Sequence, residues 1–310
     1  MATLVILGGY GNTGRALTRL LLQHSDVSLV LVGRDGDKAR RAAAEWNDRF
    51  PGLRARGEAA DASDGERLRQ LFRGTELVVA ASSTSPSARV VAEAALDAGI
   101  DYIDPQFSRA KVAALRELAP RIQAAGRCFV TDAGFHPGLP ALLVRYAARR
   151  FDALRSARVG SVIQIDWKTL NFSDSTLDEL VSEFREMQMM HFRAGRWQTM
   201  GWIESFKPVW MDFGGEFGRR YTMPMLLEEM RPLPDMFPGL QDTGFFVGGF
   251  NWVVDWLLMP LGVGLLWISP EAGGRAFARM LEWGLRRFSR PPFGTLLQLE
   301  AQGLHDGAEH

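Results

Sequence analysis

Short apolar runs alternate with helical patterns through the first 135 residues. The runs are continuously apolar and cover residues 4–7, 29–32, 77–80, 102–103 and 128–130. Such runs are typical of strands that are buried on both faces of a parallel sheet. Stretches with helical spacing separate them, for example residues 16–21 and 91–98. Because parallel strands need crossover connections, the pattern predicts an α/β domain with a doubly wound parallel sheet over residues 1–150.

The pattern changes beyond residue 150. Residues 158–166 alternate between apolar and polar positions, as in a strand with one wet face, and Leu177, Leu180, Val181, Phe184 and Met187 form the stripe of an amphipathic helix. Residues 196–243 are rich in Trp, Gly, Pro and Met without a clean period. We therefore expect a second, α+β domain over residues 151–310 that serves substrate binding and dimerisation.

Residues 245–290 contain the most apolar part of the chain. Residues 245–268 are long enough to span a bilayer, but Asn251, Asp255 and Pro260 interrupt them, which argues against a spanning helix. Residues 273–290 form a basic amphipathic pattern. Three alternatives stay open: buried core or a homodimer interface, peripheral contact with an anionic membrane, and a membrane span. Membrane contact would make an apolar substrate plausible.

Composition narrows the partners and the compartment. Lys plus Arg and Asp plus Glu are equal at 36 each, so no global field attracts nucleic acid. The single cysteine, Cys128, cannot form an internal disulfide and suits a reducing, cytoplasmic setting, with membrane association as the open addition. No H-E-x-x-H or C-x-x-C pattern occurs, so we expect no metal.

A glycine motif follows the first strand. It consists of Gly9, Tyr10, Gly11, Asn12, Thr13 and Gly14, and fits G-x-G-x-x-G between a buried strand and a helix. In this context the glycines allow a tight turn, close approach of pyrophosphate to the backbone, and close packing of helix on strand. The sequence thus predicts a Rossmann-type dinucleotide-binding domain.

The end of the second strand bears on which cofactor is bound. An acid there usually holds the ribose of NAD, whereas an arginine accommodates the 2′-phosphate of NADP. Arg34 stands at this position and favours NADP, while Asp35 directly after it keeps NAD open. Because ligands lie beyond the carboxyl ends of parallel strands, we expect Asp61, Ser82 and Ser83 to line the adenine and ribose side.

Several segments resemble the saccharopine dehydrogenase-like oxidoreductases. They are the glycine motif, Gly33-Arg34, residues 98–104 with the pattern A-G-x-x-Y-x-D, and residues 134–140, which contain G-[LF]-x-P-G. The resemblance implies an N-terminal NADP-binding domain, and places the turn with Gly134 and Phe135 close to the nicotinamide. Many relatives have an acid where this chain has His136, so the amino-acid substrate of the founding enzymes does not carry over.

Two residues are candidates for catalysis. His136 titrates near neutrality and follows the apolar run at residues 128–130, although it could instead only fix its turn. Tyr102 could orient a substrate, with a structural hydrogen bond as its alternative. We predict an NADP-dependent oxidoreductase that moves hydride to or from a carbonyl, imine or activated double bond of a small molecule. The alternative is a non-catalytic NAD(P)-binding sensor or scaffold, either free or at a membrane surface.

Overall fold

The computed structural model describes residues 2–169, 184, 187–201, 209–269 and 271–310. It divides into two compact units, Met1–Gly138 and Leu139–His310, which are described in turn.

The first unit contains a six-stranded sheet that is parallel throughout. Its strands in chain order are β1 (Thr3–Leu7), β2 (Ser28–Gly33), β3 (Ala55–Ala59), β4 (Leu77–Ala80), β5 (Asp101–Ile103) and β6 (Phe129–Val130). Their order across the sheet is β3-β2-β1-β4-β5-β6. This is the order of a dinucleotide-binding Rossmann fold, and it confirms the predicted fold class.

Five helices make the crossovers of this sheet. They are α1 (Asn12–His24), α2 (Gly36–Arg49), α3 (Gly65–Phe72), α4 (Ala88–Ala98), which follows a 3₁₀ turn at Ser85–Ser87, and α5 (Arg109–Ala124). Neighbouring residues of β1 point to opposite sides, so Val5 packs in one apolar core and Ile6 in the other. The continuous apolar runs follow from this burial on two faces.

Strand β3 did not give an apolar run. Its sequence, Ala-Arg-Gly-Glu-Ala, has only Ala55 buried, because β3 is the edge strand next to β2. An edge strand in a two-sided sheet has less apolar surface to bury, which removes the signal used for the other strands.

The second unit contains a mixed eight-stranded sheet, which confirms the α+β prediction. Its strands are β7 (Ala153–Gln164), β8 (Met190–Arg193), β9 (Arg196–Thr199), β10 (Val209–Asp212), β11 (Arg219–Met225), β12 (Asp242–Gly248), β13 (Gly294–His305) and β14 (Ala308–Glu309). The main path runs β10-β11-β12-β7-β13-β14, with the β8–β9 hairpin attached to β12. Among the described strands of this second sheet, only β12 and β7 pair in parallel.

The boundary between the units lies after Gly138, before the first helix of the second unit, and not after residue 150 as predicted. Helix α6 (Leu139–Ala148) packs against β7 and β13, so it belongs with them rather than with the first domain as predicted from residues 1–150. The predicted helix over residues 177–187 lies outside the described part of the chain, except for Phe184 and Met187.

The apolar segment predicted at residues 245–268 is divided between elements. Its first residues belong to β12, and a turn of π-helix at Val254–Leu258 then leads into α8 (Met259–Ile268) and α9 (Ala272–Phe288). A short helix α7 (Leu233–Met236) precedes β12. Over the residues that the structure describes, no helix has both the length and the apolar character to cross a membrane.

A half-buried tyrosine–carboxylate pair ties β11 to the start of the π-helical turn. The Tyr221 hydroxyl donates to Asp255 Oδ2, and the Phe250 amide donates to Asp255 Oδ1 at 3.0 Å. Burial raises the pKa of Asp255 to about 6, although both hydrogen bonds act in the opposite direction.

Asp255 makes the stability of the chain fall as the pH rises. The folded protein holds this proton up to a pH near 6, whereas the unfolded chain releases it near 3.8, the usual pKa of an aspartate. Between about pH 4.5 and about pH 7, ionisation of Asp255 should therefore lower the free energy of unfolding by about 2 kcal/mol. Urea denaturation of the wild type and Asp255→Asn at both pH values measures this, since the variant lacks the contribution. Equal pH dependence of the two proteins would contradict the assignment.

Candidate cofactor site

The glycine loop is held against the end of β2 by backbone hydrogen bonds. The amides of Gly8 and Gly9 both donate to the Val32 carbonyl, at 2.7 and 3.1 Å, and the Gly11 amide donates to the Gly8 carbonyl at 2.9 Å. Gly8 has φ +85°, a conformation that a residue with a side chain rarely adopts. The loop therefore turns sharply from β1 into α1 at the carboxyl edge of the sheet.

The three glycines of the motif have different neighbours. A Cβ on Gly14 would lie 2.2 Å from the Gly8 carbonyl oxygen, and one on Gly9 would lie 2.7 Å from Leu31 Cβ. These two glycines allow the helix and loop to pack on the strands. A Cβ on Gly11 would meet only the Gly8 oxygen, at 3.2 Å, so its other side is open.

This open side fits a pyrophosphate. Gly11 is the N-cap of α1, and no side chain of the described residues caps the helix, so the first amides of α1 are left for another acceptor. Asn12 and Thr13 are exposed next to it. A phosphate group satisfies such amides and is favoured by the helix dipole, so the loop fits the cofactor that its sequence predicts.

Tyr10 links the glycine loop to the turn after β2. Its hydroxyl accepts a hydrogen bond from the Asp35 amide at 3.2 Å, and its ring covers Gly33, where a Cβ would lie 2.3 Å from the ring. Tyr10 thus positions the turn that carries Arg34.

The charged residues after β2 divide into engaged and available groups. The Asp35 carboxylate caps α2 by accepting from the Lys38 amide at 3.0 Å, which holds the pKa of Asp35 below its usual value. Arg40 donates to Asp37 at 2.7 Å. Arg34 is exposed, and its side chain makes no hydrogen bond within the described residues. An arginine that is available beside an occupied aspartate suits a 2′-phosphate better than a ribose hydroxyl.

The residues predicted on the adenine and ribose side lie after β3 and β4. Asp61 accepts hydrogen bonds from the Ser63 amide and hydroxyl, at 2.9 and 2.6 Å, which together lower its pKa, and the Arg34 charge adds to this effect. Ser82 packs against Gly8, where a Cβ would lie 2.6 Å from Ser82 Cβ, and Ser83 beside it is exposed. The contact of each residue with a cofactor stays a prediction.

A buried ion cluster joins the loops that follow β5 and β6. The Lys111 ammonium, with a side chain that is 0% exposed, donates to Asp104, to the Gln106 carbonyl and, at 2.9 Å, to Asp132. Thr131 donates to the second oxygen of Asp104 at 2.9 Å. Since a buried ammonium requires such partners, Lys111 fixes both loops at the carboxyl edge of the sheet.

The Gln106 side chain extends this network to the loop after β4. Its Nε2 donates to the Ala80 carbonyl at 3.0 Å and to the Thr84 hydroxyl at 3.2 Å, and its Oε1 accepts from Ser85 at 2.6 Å. Three neighbouring loops at the same edge are therefore cross-linked by side chains.

Tyr102 lies inside the first unit, with 1% of its surface exposed. Its ring packs on Phe129 with centroids 5.4 Å apart, and burial raises the pKa of its hydroxyl, to which Asp104 adds through its charge and a hydrogen bond. This environment favours the structural hydrogen bond that the sequence left open. The catalytic role of Tyr102 stays a prediction.

The turn after β6 carries His136. The Gly134 amide donates to the Pro137 carbonyl at 2.8 Å, and the rings of Phe135 and His136 lie 5.2 Å apart. Burial lowers the pKa of His136 below its usual value of 6.5, so the imidazole is neutral at pH 7. The turn therefore contains a half-buried, neutral imidazole beside an aromatic ring.

Gln106, Lys111 and Asp132 were missed in the sequence. One signal was present for Lys111, because it stands in register with Val112, Leu115 and Leu118 on the buried face of α5, where a lysine must have a carboxylate partner. Gln106 and Asp132 stand in loops, where no periodicity marks them.

The second unit has a cavity of its own, of about 270 Å³. Aromatic and basic side chains line it, among them Trp167, Phe250, Trp252, Phe288, Arg220 and Arg290. All of these residues belong to the second unit, and we assign the cavity no part in cofactor binding.

Residues 4–130 match the family model described as the saccharopine dehydrogenase NADP binding domain. The match covers the glycine loop, the turn with Arg34 and all six strands of the first sheet. The first unit is therefore a dinucleotide-binding domain, and its sequence matches that of the saccharopine dehydrogenase NADP-binding domains. This confirms the resemblance seen in the sequence and NADP as the cofactor.

Two solved structures are similar to this chain at low sequence identity. An apo saccharopine dehydrogenase (L-Glu forming) from Saccharomyces cerevisiae is 15% identical, with a TM-score of 0.64 over 86% of this chain and 59% of that one. The chain thus spans less than two thirds of that protein, and the likeness concerns the fold. A UDP-N-acetylglucosamine 3-dehydrogenase from Acidithiobacillus ferrooxidans is 12% identical, with a TM-score of 0.42 over 81% of this chain and 70% of that one.

Alanine substitutions at two glycines of the loop should affect different properties, NADPH binding for Gly11 and folding stability for Gly14. Gly11→Ala should fold normally, since its backbone at φ −75° accepts a side chain, but should weaken NADPH binding on the order of tenfold by intruding on the phosphate. Gly14→Ala should lose about 1–3 kcal/mol of stability through its clash with Gly8. Urea denaturation and NADPH fluorescence titration measure both effects. A Gly11→Ala protein that binds NADPH like the wild type would overturn the assignment of the open side to phosphate.

Proposed function

We propose that this chain is an NADP-dependent oxidoreductase that transfers hydride to or from a carbonyl, imine or activated double bond of a small molecule. The observation that carries the proposal is the placement of His136. A neutral imidazole follows β6, in a turn at the same carboxyl edge of the sheet as the glycine loop. NADP-binding domains of dehydrogenases use this edge of the sheet for their chemistry.

The residues of the first unit have distinct parts in this proposal. The open side of Gly11 and the first amides of α1 bind the pyrophosphate, and Arg34 binds the 2′-phosphate. Phe135 and Gly134 flank the nicotinamide, as the resemblance implies. The cofactor supplies the hydride, so the protein needs to provide position and one proton-transfer group.

His136 is the proton-transfer group in this proposal. Because burial lowers its pKa, the imidazole is unprotonated near neutral pH and accepts a proton when an alcohol or amine is oxidised. In the reverse direction the imidazolium returns this proton to the product oxygen or nitrogen. The buried Lys111 cluster does not exchange protons with substrate, and acts by fixing the loops around the turn.

The oxidoreductase proposal is tested by turnover. Purified protein with NADPH should reduce at least one compound in a panel of aldehydes, ketones, imines and enoyl compounds, followed by loss of NADPH absorbance. A protein that binds NADPH but turns over none of these classes would count against the proposal.

His136→Ala should lower the turnover number by about 100-fold or more while NADPH binding changes little, because the proton-transfer group is removed and the phosphate contacts remain. In the oxidative direction, the wild-type rate should rise with pH through a midpoint below 6.5. Cys128→Ser, an exposed change in the same unit, is the matched control and should leave the rate and its pH profile unchanged. If His136→Ala keeps both the rate and the pH profile, His136 only fixes its turn.

A further inference from the structure

Helices α8 and α9 pack against each other as an antiparallel hairpin. A Cβ on Gly262 of α8 would lie 2.0 Å from the Phe277 ring of α9, and one on Gly284 would lie 2.3 Å from Leu258. Residues early in α9 thus face the middle of α8, while residues late in α9 face the π-helical turn before it. Val254, Leu258, Phe277, Leu281 and Leu285 fill the interface.

The side of the hairpin away from this interface is also apolar. From Leu257 to Ile268 the sequence has no polar or charged side chain. Leu257, Leu261, Gly264 and Ile268 recur at helical spacing and are exposed, and we call them the outer stripe. Leu261 is 54% exposed, Ile268 is 83% exposed, and the neighbouring Trp267 is 85% exposed. A helix that is apolar all round needs a second apolar partner.

The charges beside the outer stripe indicate what this partner is. Arg275 and Arg279 are exposed along α9, and neither forms an ion pair within the described ranges. Glu282, further along α9, is engaged with Arg286 at 3.0 Å. An interface between two copies would bring the two arginines of each copy together, with one exposed carboxylate, Glu271 at the start of α9, to oppose them. Anionic lipid headgroups supply the opposite charge, and their acyl chains accept the apolar stripe.

We infer that the α8–α9 hairpin docks this chain on the surface of an anionic lipid bilayer. The outer stripe enters the boundary between headgroups and acyl chains, Trp267 lies at that boundary, and Arg275 and Arg279 contact the headgroups. The hairpin lies in the membrane surface and does not cross the bilayer. This inference is independent of the oxidoreductase proposal.

Flotation of the purified full chain with lipid vesicles tests the inference. The probes are vesicles of phosphatidylcholine alone and of phosphatidylcholine with phosphatidylserine, at low and high salt. The chain should float with the anionic vesicles, and high salt should weaken this binding because the arginine contribution is screened.

Two double variants separate the apolar and the electrostatic contributions. Leu261→Gln/Ile268→Gln should weaken binding to anionic vesicles about tenfold or more, since it removes the inserted side chains. Arg275→Gln/Arg279→Gln should weaken it by about fivefold for each arginine and reduce its salt dependence. The matched controls are Leu142→Gln, at a position that is 57% exposed on α6, and Arg149→Gln, which is exposed beyond the end of α6. Urea denaturation verifies that every variant is folded.

Tryptophan emission gives a second readout. Anionic vesicles should shift the emission of the wild type to the blue, and Trp267→Phe should remove most of that shift. Three results would overturn the inference: no flotation at either salt concentration, equal loss in the controls, or a dimer in solution that the outer-stripe variant dissociates.

Discussion

The candidate site depends on the buried ion pairs that the Lys111 ammonium makes with two aspartates. This ammonium group is fully buried between Asp104 and Asp132, which follow two adjacent strands. A buried charge is tolerated only when its partners are close, so the loops after β5 and β6 have little freedom to move apart. Gln106 carries this constraint to the loop after β4. The turn with His136 is therefore positioned by a charge network rather than by apolar packing alone.

The cofactor end of the site depends on a different constraint, the close approach of backbone to backbone. Gly9 and Gly14 leave no room for a side chain, and Tyr10 connects the loop to the turn after β2. At that turn Asp35 is used to cap α2, which leaves the Arg34 side chain for the ligand. The choice of NADP over NAD thus follows from which charged group local structure has already engaged. The sequence placed these two residues side by side but could not show which was engaged.

The sequence predicted the elements correctly where apolar side chains are buried in a regular pattern along the chain. The runs at residues 4–7, 29–32 and 77–80 are strands because both faces of the first sheet are covered, and the glycine motif lies where a strand meets a helix. The prediction failed at β3, an edge strand with few buried positions, and at the boundary between the units, since α6 has an apolar face whichever unit it packs on. The Lys111 cluster was missed because its members are joined only in three dimensions. The predicted homodimer stays a prediction.

The assignment of Arg34 to the 2′-phosphate is tested most directly by a binding cycle. NADPH and NADH affinities are measured by fluorescence titration for the wild type, Arg34→Gln and the exposed control Arg41→Gln. Removal of a charge-assisted contact costs about 1.5–3 kcal/mol, so Arg34→Gln should lose about 10-fold to 100-fold in NADPH affinity and keep its NADH affinity. Arg41→Gln should bind both cofactors with the affinities of the wild type. Equal losses for both cofactors, or no preference for NADPH in the wild type, would contradict the account.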